Sequence, residues 1–346
     1  MKATYKKYVL NFKMPSGTSR GILKTKETWF IKIEQKHNFG IGECGILRGL
    51  SVDDRPDYEN MLKWACENIR LGEEVLYNAL TDYPSIQFGI EMAFRSLSSE
   101  DKFQLFPSAF TRGEKGIPIN GLVWMGDKQF MKQQIVDKLD NGFSCIKMKI
   151  GAIDFASEIA LLTSIRKEFS ASEIELRVDA NGAFSPSEAL EKLKILSELE
   201  LHSIEQPIAA GQWEAMASLC EDSPLPIALD EELIGVFSSE EKQQLLQSIS
   251  PQFIILKPSL IGGWKGSDLW ISEASKLGIN WWITSALESN IGLNAISQYT
   301  FTKNSKLPQG LGTGSLYTNN LSSPLGVSNG NIYYRSKDAW KIDEIF

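Results

Sequence analysis

Apolar and polar positions along this chain follow one rhythm for about a hundred residues and then another. In the first stretch, "YKKYVLNFKM", "RGILKTKETWFIKIEQK" and "FGIGECG" read as a short antiparallel meander, with turns at Pro15–Gly17 and near His37–Asn38. Two helical patterns follow, over Asp54–Arg70 and Pro84–Leu97, and in the second "SIQFGIEMAFRSL" is apolar on one side. Residues 1–105 therefore read as a small α+β unit. From Ile117 onward short apolar strands alternate with amphipathic helices. The predicted strands are "IPINGLVW", "CIKMKI", "IELRVDA", "LHSIEQP", "LPIALD", "FIILKP", "INWWITSA" and a weaker "LPQGLGTG". The helices between them have marked starts: Ser185-Pro186-Ser187-Glu188 and Ser238-Ser239-Glu240-Glu241 are both capping boxes. Eight strands with intervening helices over about 200 residues predict an α/β fold, a closed parallel TIM-type barrel over 106–320. A doubly wound sheet is the other topology this alternation allows. Residues 321–346, with "GNIYYRSKDAW", are strand-like and are expected to return to the N-terminal unit.

Polar residues interrupt these strands at regular places. Lys149, Asp179, Glu205, Asp230, Lys257 and Ser285 each fall at a strand's C-terminal end, about one βα unit (25 to 30 residues) apart. In a barrel that spacing puts them all at one mouth, where active sites of such barrels lie. Each motif has a bland reading alone. "KMK" suits a half-exposed edge strand, "VDAN" a turn, "EQP" a strand end before a proline turn, and "DEE" a helix start. Their common register is what points to chemistry. Three neighbouring buried carboxylates, Asp179, Glu205 and Asp230, would repel one another unless a cation sat among them, and a hard divalent ion such as Mg²⁺ suits oxygen ligands. Lys147 and Lys149, at i and i+2, share one strand face. With Lys257 they would face a metal–carboxylate cluster across the mouth, and a lysine near a cation and partly desolvated should have a lowered pKa and serve as a base.

Composition removes several classes. The chain has 346 residues, 42% hydrophobic and 23% charged, with a net charge of −7 and no basic run, which argues against a nucleic-acid surface. No apolar stretch approaches the roughly 18 residues of a membrane span, and the N-terminus lacks the apolar core of a secretory leader. Cys44, Cys66, Cys145 and Cys220 are scattered, with no zinc spacing, and read as free thiols in a reducing cytoplasm. Gly40-Ile-Gly42-Glu43-Cys44-Gly45 matches G-x-G-x-x-G, but no helix or βαβ unit follows it. The two histidines, His37 in a loop and His202 at a strand start, give no triad.

These residues carry a resemblance to the enolase superfamily over nearly the whole chain. It implies an N-terminal capping α+β domain (1–105), a (β/α)7β barrel (106–320) and a C-terminal segment (321–346) returning to the cap. In such enzymes Mg²⁺, for which Mn²⁺ can substitute, is bound by Asp, Glu and Asp on the third to fifth strands and chelates a substrate carboxylate. A base removes the α-proton and the metal stabilises the enediolate. Asp179, Glu205 and Asp230 match the metal ligands, Lys149 the base on the second strand, and Lys257 the lysine on the sixth. No histidine lies beyond His202, so a His–Asp dyad is missing, and two opposed lysines resemble the muconate-lactonizing subgroup. The place where dipeptide epimerases carry Asp-x-Asp reads "GLGTGSLYTNN", without an acid. "SGTSRG", "GIGECGILRGLS" and "TSALESNIG" resemble o-succinylbenzoate synthases of menaquinone biosynthesis.

That resemblance implies a lyase that dehydrates 2-succinyl-6-hydroxy-2,4-cyclohexadiene-1-carboxylate, a small-molecule carboxylate, with syn geometry. Lys149 would act as base and then acid, Lys257 would stay cationic on the other face, and Lys147 would keep Lys149 neutral by like-charge repulsion. Asn181 would contact the carboxylate. Ser285, Ser289, Thr18 and the loop Leu47–Ser51 would close over the succinyl tail. N-acylamino acid racemisation, dipeptide epimerisation and muconate cycloisomerisation are the alternatives within the subgroup. A Schiff-base aldolase would explain the lysines and leave the carboxylates unexplained. Oligomeric state is not legible in the sequence.

Overall fold

A computed structural model of the chain describes residues 1–18, 21–124, 126–335, 340–342 and 345, with 16–18 and 128 described by backbone alone. Strands β1 (Lys2–Thr18), β2 (Gly21–Gln35) and β3 (Asn38–Gly45) form an antiparallel sheet in that order. Strand β1 runs on through Pro15–Gly17, where a turn was expected, and Thr18 pairs directly with Gly21. A register break between Asn11 and Ser16 absorbs the proline inside β1, as an edge strand permits. Helices α1 (Tyr58–Glu67), α2 (Glu73–Ala79) and α3 (Pro84–Ser98) follow. The expected Asp54–Arg70 helix is shorter at both ends, and α2 is too brief to show a period in the sequence. Helix α3 lies directly on β3: a Cβ on Gly42 would stand 1.9 Å from the Gly89 carbonyl oxygen, and one on Gly40 2.1 Å from that of Ala93. The glycine motif thus serves helix–sheet contact.

The second rhythm is a parallel sheet. Its strands are β5 (Gly121–Val123), β6 (Cys145–Lys149), β7 (Glu175–Asp179), β8 (Ser203–Glu205), β9 (Ile227–Leu229), β10 (Phe253–Leu256) and β11 (Asn280–Ile283), seven in unbroken chain order. Between and after them run α4 (Lys128–Asp140), α5 (Phe155–Glu168), α6 (Pro186–Ser197), α7 (Trp213–Asp222), α8 (Ser239–Ile249), α9 (Gly263–Lys276) and α10 (Asn290–Thr302). Both predicted capping boxes form, at the starts of α6 and α8. The predicted eighth strand does not form as a strand. Gln309 and Gly310 make isolated parallel bridges to Ile119 and Thr284, and Pro308, Gly310, Gly312 and Gly314 deprive the stretch of donors and side-chain packing.

"IPINGLVW" also divides. Strand β4 (Ile117–Pro118) leaves the parallel sheet and pairs with the hairpin of β12 (Leu325–Ser328) and β13 (Asn331–Tyr334). The C-terminal strands therefore meet β4 and not the N-terminal sheet. The chain that does reach β1 lies just before them: Tyr317 bridges Phe12, Lys13 N donates to Leu316 O at 2.8 Å, and Thr318 N donates to Asn11 O at 2.9 Å.

Alternation along the parallel strands separates core from site. Ile146, Met148, Leu176, Val178, Ile204, Leu229, Ile254 and Leu256 join the large apolar core with the helices, each contributing about 1.5–3 kcal/mol on burial. The opposite face carries Lys147, Lys149, Arg177, Asp179, Glu205 and, lower down, a small apolar plug of Ala228, Ile255 and Trp282. Among the described residues no helix is long and apolar enough to cross a membrane. All four cysteines are free and buried.

Candidate active site

Strand register builds the site. Lys149 pairs with Asp179 and Asp179 with Glu205, so three successive strand ends stand at one height. Asp230 and Lys257 follow the last residues of β9 and β10. Each of these side chains is inward because the residue before it (Met148, Val178, Ile204, Leu229 or Leu256) is apolar and faces the helices.

The carboxylates and ammonium groups are in direct contact. Lys149 Nζ lies 2.8 Å from Asp179 Oδ2 and 2.6 Å from Asn181 Oδ1. Lys147 Nζ lies 2.8 Å from Asp179 Oδ2 and donates to Glu205 Oε2. Lys257 donates to Asp230 Oδ2 and stands 3.9 Å from Glu205 Oε1. The lysines thus do not face the carboxylates across the mouth, as the sequence suggested. They lie among them, three lysines interleaved with three carboxylates, because a carboxylate taken out of water needs an adjacent counter-charge to stay ionised.

Proton affinities follow from that arrangement. Burial opposes ionisation of Asp179, but Lys147 and Lys149 outweigh it and hold this carboxyl well below the usual carboxylate range. Burial is likewise overcome at Asp230, chiefly by Lys257. Glu205 behaves oppositely. Burial and the flanking Asp179 and Asp230 charges push it well above its ordinary value, beyond what Lys147 and Lys257 offset. The expected fall in lysine pKa is not seen at Lys147 or Lys257. Burial would lower both, but the neighbouring carboxylates outweigh it, and both ammonium groups are held above the ordinary lysine value.

A divalent cation fits this donor set. The ligands are all carboxylate oxygens on adjacent strands, and Glu205 Oε1 is buried without a hydrogen-bond partner. Among the described residues no three ligating side chains are already converged, since the ammonium groups of Lys147 and Lys257 stand between the carboxylates. Holding an ion there requires those two flexible side chains to withdraw.

A cavity of about 260 Å³ opens over this layer, with Lys147, Lys149, Asn181, Lys257 and Ser285 in its wall. Leu47 and Leu50 line it from the loop after β3, where Leu47 N donates to Ser51 Oγ at 2.9 Å. Leu23, Trp124, Leu287 and Leu316 complete an apolar rim. Ser285 donates to the buried Glu288 at 2.5 Å and accepts from Thr313 at 2.9 Å. Ser289 is not brought to the cavity. It is fully buried, where its N–H and hydroxyl both donate to Glu43 and its oxygen caps α10. The side chain of Thr18 lies outside the described residues, as do Ser19 and Arg20. His202 sits at the far end of β8 against Phe253 and Trp282.

Three polar residues beside the mouth escaped sequence reasoning. Glu231 accepts from Asn181 Nδ2 at 3.0 Å. Gln206 Oε1 accepts from Asp230 N at 3.1 Å, and Glu288 accepts from Ser259 and Ser285. Glu231 and Gln206 each directly follow a predicted ligand, which was the available signal.

Comparison with known proteins accords with this geometry. Residues 131–337 match the enolase C-terminal domain-like family model. The chain is 47% identical to an o-succinylbenzoate synthase of Desulfotalea psychrophila, over 95% of this chain and 98% of that protein. The crystal structure of MenC from the same organism superposes with a TM-score of 0.85 at 44% identity, covering 96% of this chain and 99% of that one. A muconate lactonizing enzyme from Pseudomonas fluorescens, complexed with muconolactone, shares the fold at a TM-score of 0.83 and 20% identity, covering 98% and 96% of the two chains.

Proposed function

The chain belongs to the enolase superfamily, in its muconate-lactonizing subgroup, and we propose that it acts as an o-succinylbenzoate synthase. The observation that carries the mechanism is the placement of Lys149 and Lys257 at the ends of β6 and β10, on opposite sides of the carboxylates of β7, β8 and β9. A substrate lying over that row would present one face to each lysine.

The reaction takes 2-succinyl-6-hydroxy-2,4-cyclohexadiene-1-carboxylate to 2-succinylbenzoate and water. Lys149 removes the proton α to the ring carboxylate, breaking C–H, and returns a proton to the hydroxyl that leaves from the neighbouring carbon on the same face. Ring aromatisation makes the second step downhill. Lys257 remains an ammonium on the other face, and Lys147 beside Lys149 pairs with Asp179 and Glu205. The rim of Leu47, Leu50 and Trp124 excludes water from the ring. Asp179, Glu205 and Asp230 would hold a divalent ion, Mg²⁺ by its preference for oxygen, which when bound supplies positive charge to the substrate carboxylate as negative charge develops on it.

We read residues 1–105 as a capping domain, 106–320 as the catalytic barrel, closed by the Gln309 and Gly310 bridges in place of its eighth strand, and 321–346 as a segment whose strands pair with β4 and which returns to the cap through Trp340, stacked on Phe103. Four unpaired thiols support a cytoplasmic setting. N-acylamino acid racemisation is the second reading, because opposed lysines can pass a proton from one face to the other. An assay with Mg²⁺ decides between them. EDTA-sensitive formation of 2-succinylbenzoate is expected. Racemisation of N-succinyl amino acids without dehydration would move the substrate and keep the lysines, and inactivity in both assays would refute the synthase.

A further inference from the structure

We propose that Glu231 is a positioning residue for Lys149, acting through Asn181; this rests on Lys149 being the base. A neutral amine has two N–H bonds and one lone pair. Asp179 Oδ2 at 2.8 Å and Asn181 Oδ1 at 2.6 Å accept from Lys149. With both N–H bonds engaged, tetrahedral geometry fixes where the lone pair points. Asn181 serves this purpose only if its oxygen, not its NH2, faces the lysine. An NH2 turned inward would donate into the lone pair and occupy it.

Glu231 decides the matter. A carboxylate only accepts, and its Oε1 lies 3.0 Å from the Asn181 amide nitrogen, so the oxygen end is turned onto Lys149. The Asn181 backbone is already fixed. It has a left-handed φ of 46°, its N–H donates to Asp179 Oδ1 at 3.0 Å, and the next N–H, of Gly182, donates to Gln206 O at 2.7 Å. Orientation of the amide is the freedom that remains. Glu231 itself opens a short 3-10 turn that Gln206 ties down, accepting from Asp230 N at 3.1 Å and donating to Glu232 at 3.0 Å. The relay crosses from the end of β6 to those of β7 and β9, so no single strand end encodes it.

Glu231 also exerts its field on Lys257, and the test must separate the two routes. It measures kcat, KM and calorimetric Mg²⁺ affinity for Glu231→Leu, Glu231→Gln and each combined with Asn181→Ala. Glu231→Leu should lower kcat roughly ten- to a hundredfold with KM and Mg²⁺ affinity changed by less than about twofold. Glu231→Gln keeps an acceptor oxygen and should hold kcat within about threefold, which also guards against a misfolded Leu variant. In the Asn181→Ala background Glu231→Leu should cost nothing more. An unchanged kcat, a full loss in the Asn181→Ala background, or a loss of Mg²⁺ binding overturns the proposal. Lys149→Ala separates its failure from that of the base assignment. Turnover by Lys149→Ala removes both, whereas an inactive Lys149→Ala beside a fully active Glu231→Leu removes the relay alone.

Discussion

Two sets of buried carboxylates, one in the N-terminal region and one at the barrel mouth, have partners that differ in kind. In the N-terminal region each one is held at the first turn of a helix. Asp53 accepts from Ser85 N at 2.9 Å at the start of α3. Glu91 accepts from Trp264 N at 2.6 Å and Lys265 N at 3.1 Å at the start of α9, and Glu43 from Ser289 N and Gly292 N, both at 2.8 Å, at the start of α10. At the barrel mouth Asp179, Glu205 and Asp230 instead meet ammonium groups. Main-chain N–H groups are fixed by the helix they belong to. An ammonium on a four-carbon stem can leave and take another partner. Partners are locked in one region and exchangeable in the other, and only a carboxylate with an exchangeable partner can yield its place to a metal or share in acid–base chemistry.

The sharpest way to break this contrast is Lys149→Ala. It should lower kcat by roughly 10²–10⁴-fold while the melting temperature hardly moves, because Lys147 still pairs with Asp179; stopped-flow turnover beside a thermal melt checks both. Asp179→Asn should weaken Mg²⁺ binding by roughly tenfold or more in a calorimetric titration. An unchanged isotherm would remove Asp179 from the ligand set. Glu43→Ala should do the reverse of both. It strands the N–H groups of Ser289 and Gly292 and should cost about 2 to 4 kcal/mol of stability by urea unfolding, with kcat of the folded protein retained.

The smallest effect is on pH dependence. Burial pushes Glu91 up to about 8 and Asp53 up to about 6. An acid with a raised pKa binds its proton more tightly in the folded state. Its stabilisation is complete below the unfolded value near 4 and is lost as pH rises through the folded one. Between about pH 4 and 8 these groups should make stability fall with rising pH, by at most about 1.4 kcal/mol per unit for each. Glu91→Gln should flatten the upper part of that slope. Asp179 and Asp230, held low, act oppositely, and their contribution is lost as pH falls below about 4.

The mouth was legible because βα units of similar length return each strand end to the same height. Lys149, Asp179, Glu205, Asp230 and Lys257 could be picked out without knowing a single contact. What the pattern could not convey was partnership. Ser289 reads as a mouth hydroxyl, but its acceptor, Glu43, lies 246 residues away in the glycine motif. Asn181 reads as a substrate contact, although its partners sit on two other strands. The eighth strand was over-read because alternation of glycine with Leu311 and Thr313 imitates a strand that lacks the side chains to pack as one. The turn at Pro15 was misplaced because proline is a turn signal unless an edge strand can bulge around it.

The seating of β1 against residues 316–319 bears on how the chain is made. Tyr8 OH and Asn11 N both donate to Asn319, across separations of 311 and 308 residues. At ribosomal rates of roughly 5–20 residues per second, the outer edge of β1 waits on the order of 15 to 60 seconds for the segment that covers it. During that interval a nascent chain exposes unpaired strand edge, the feature most prone to pairing with a neighbouring chain.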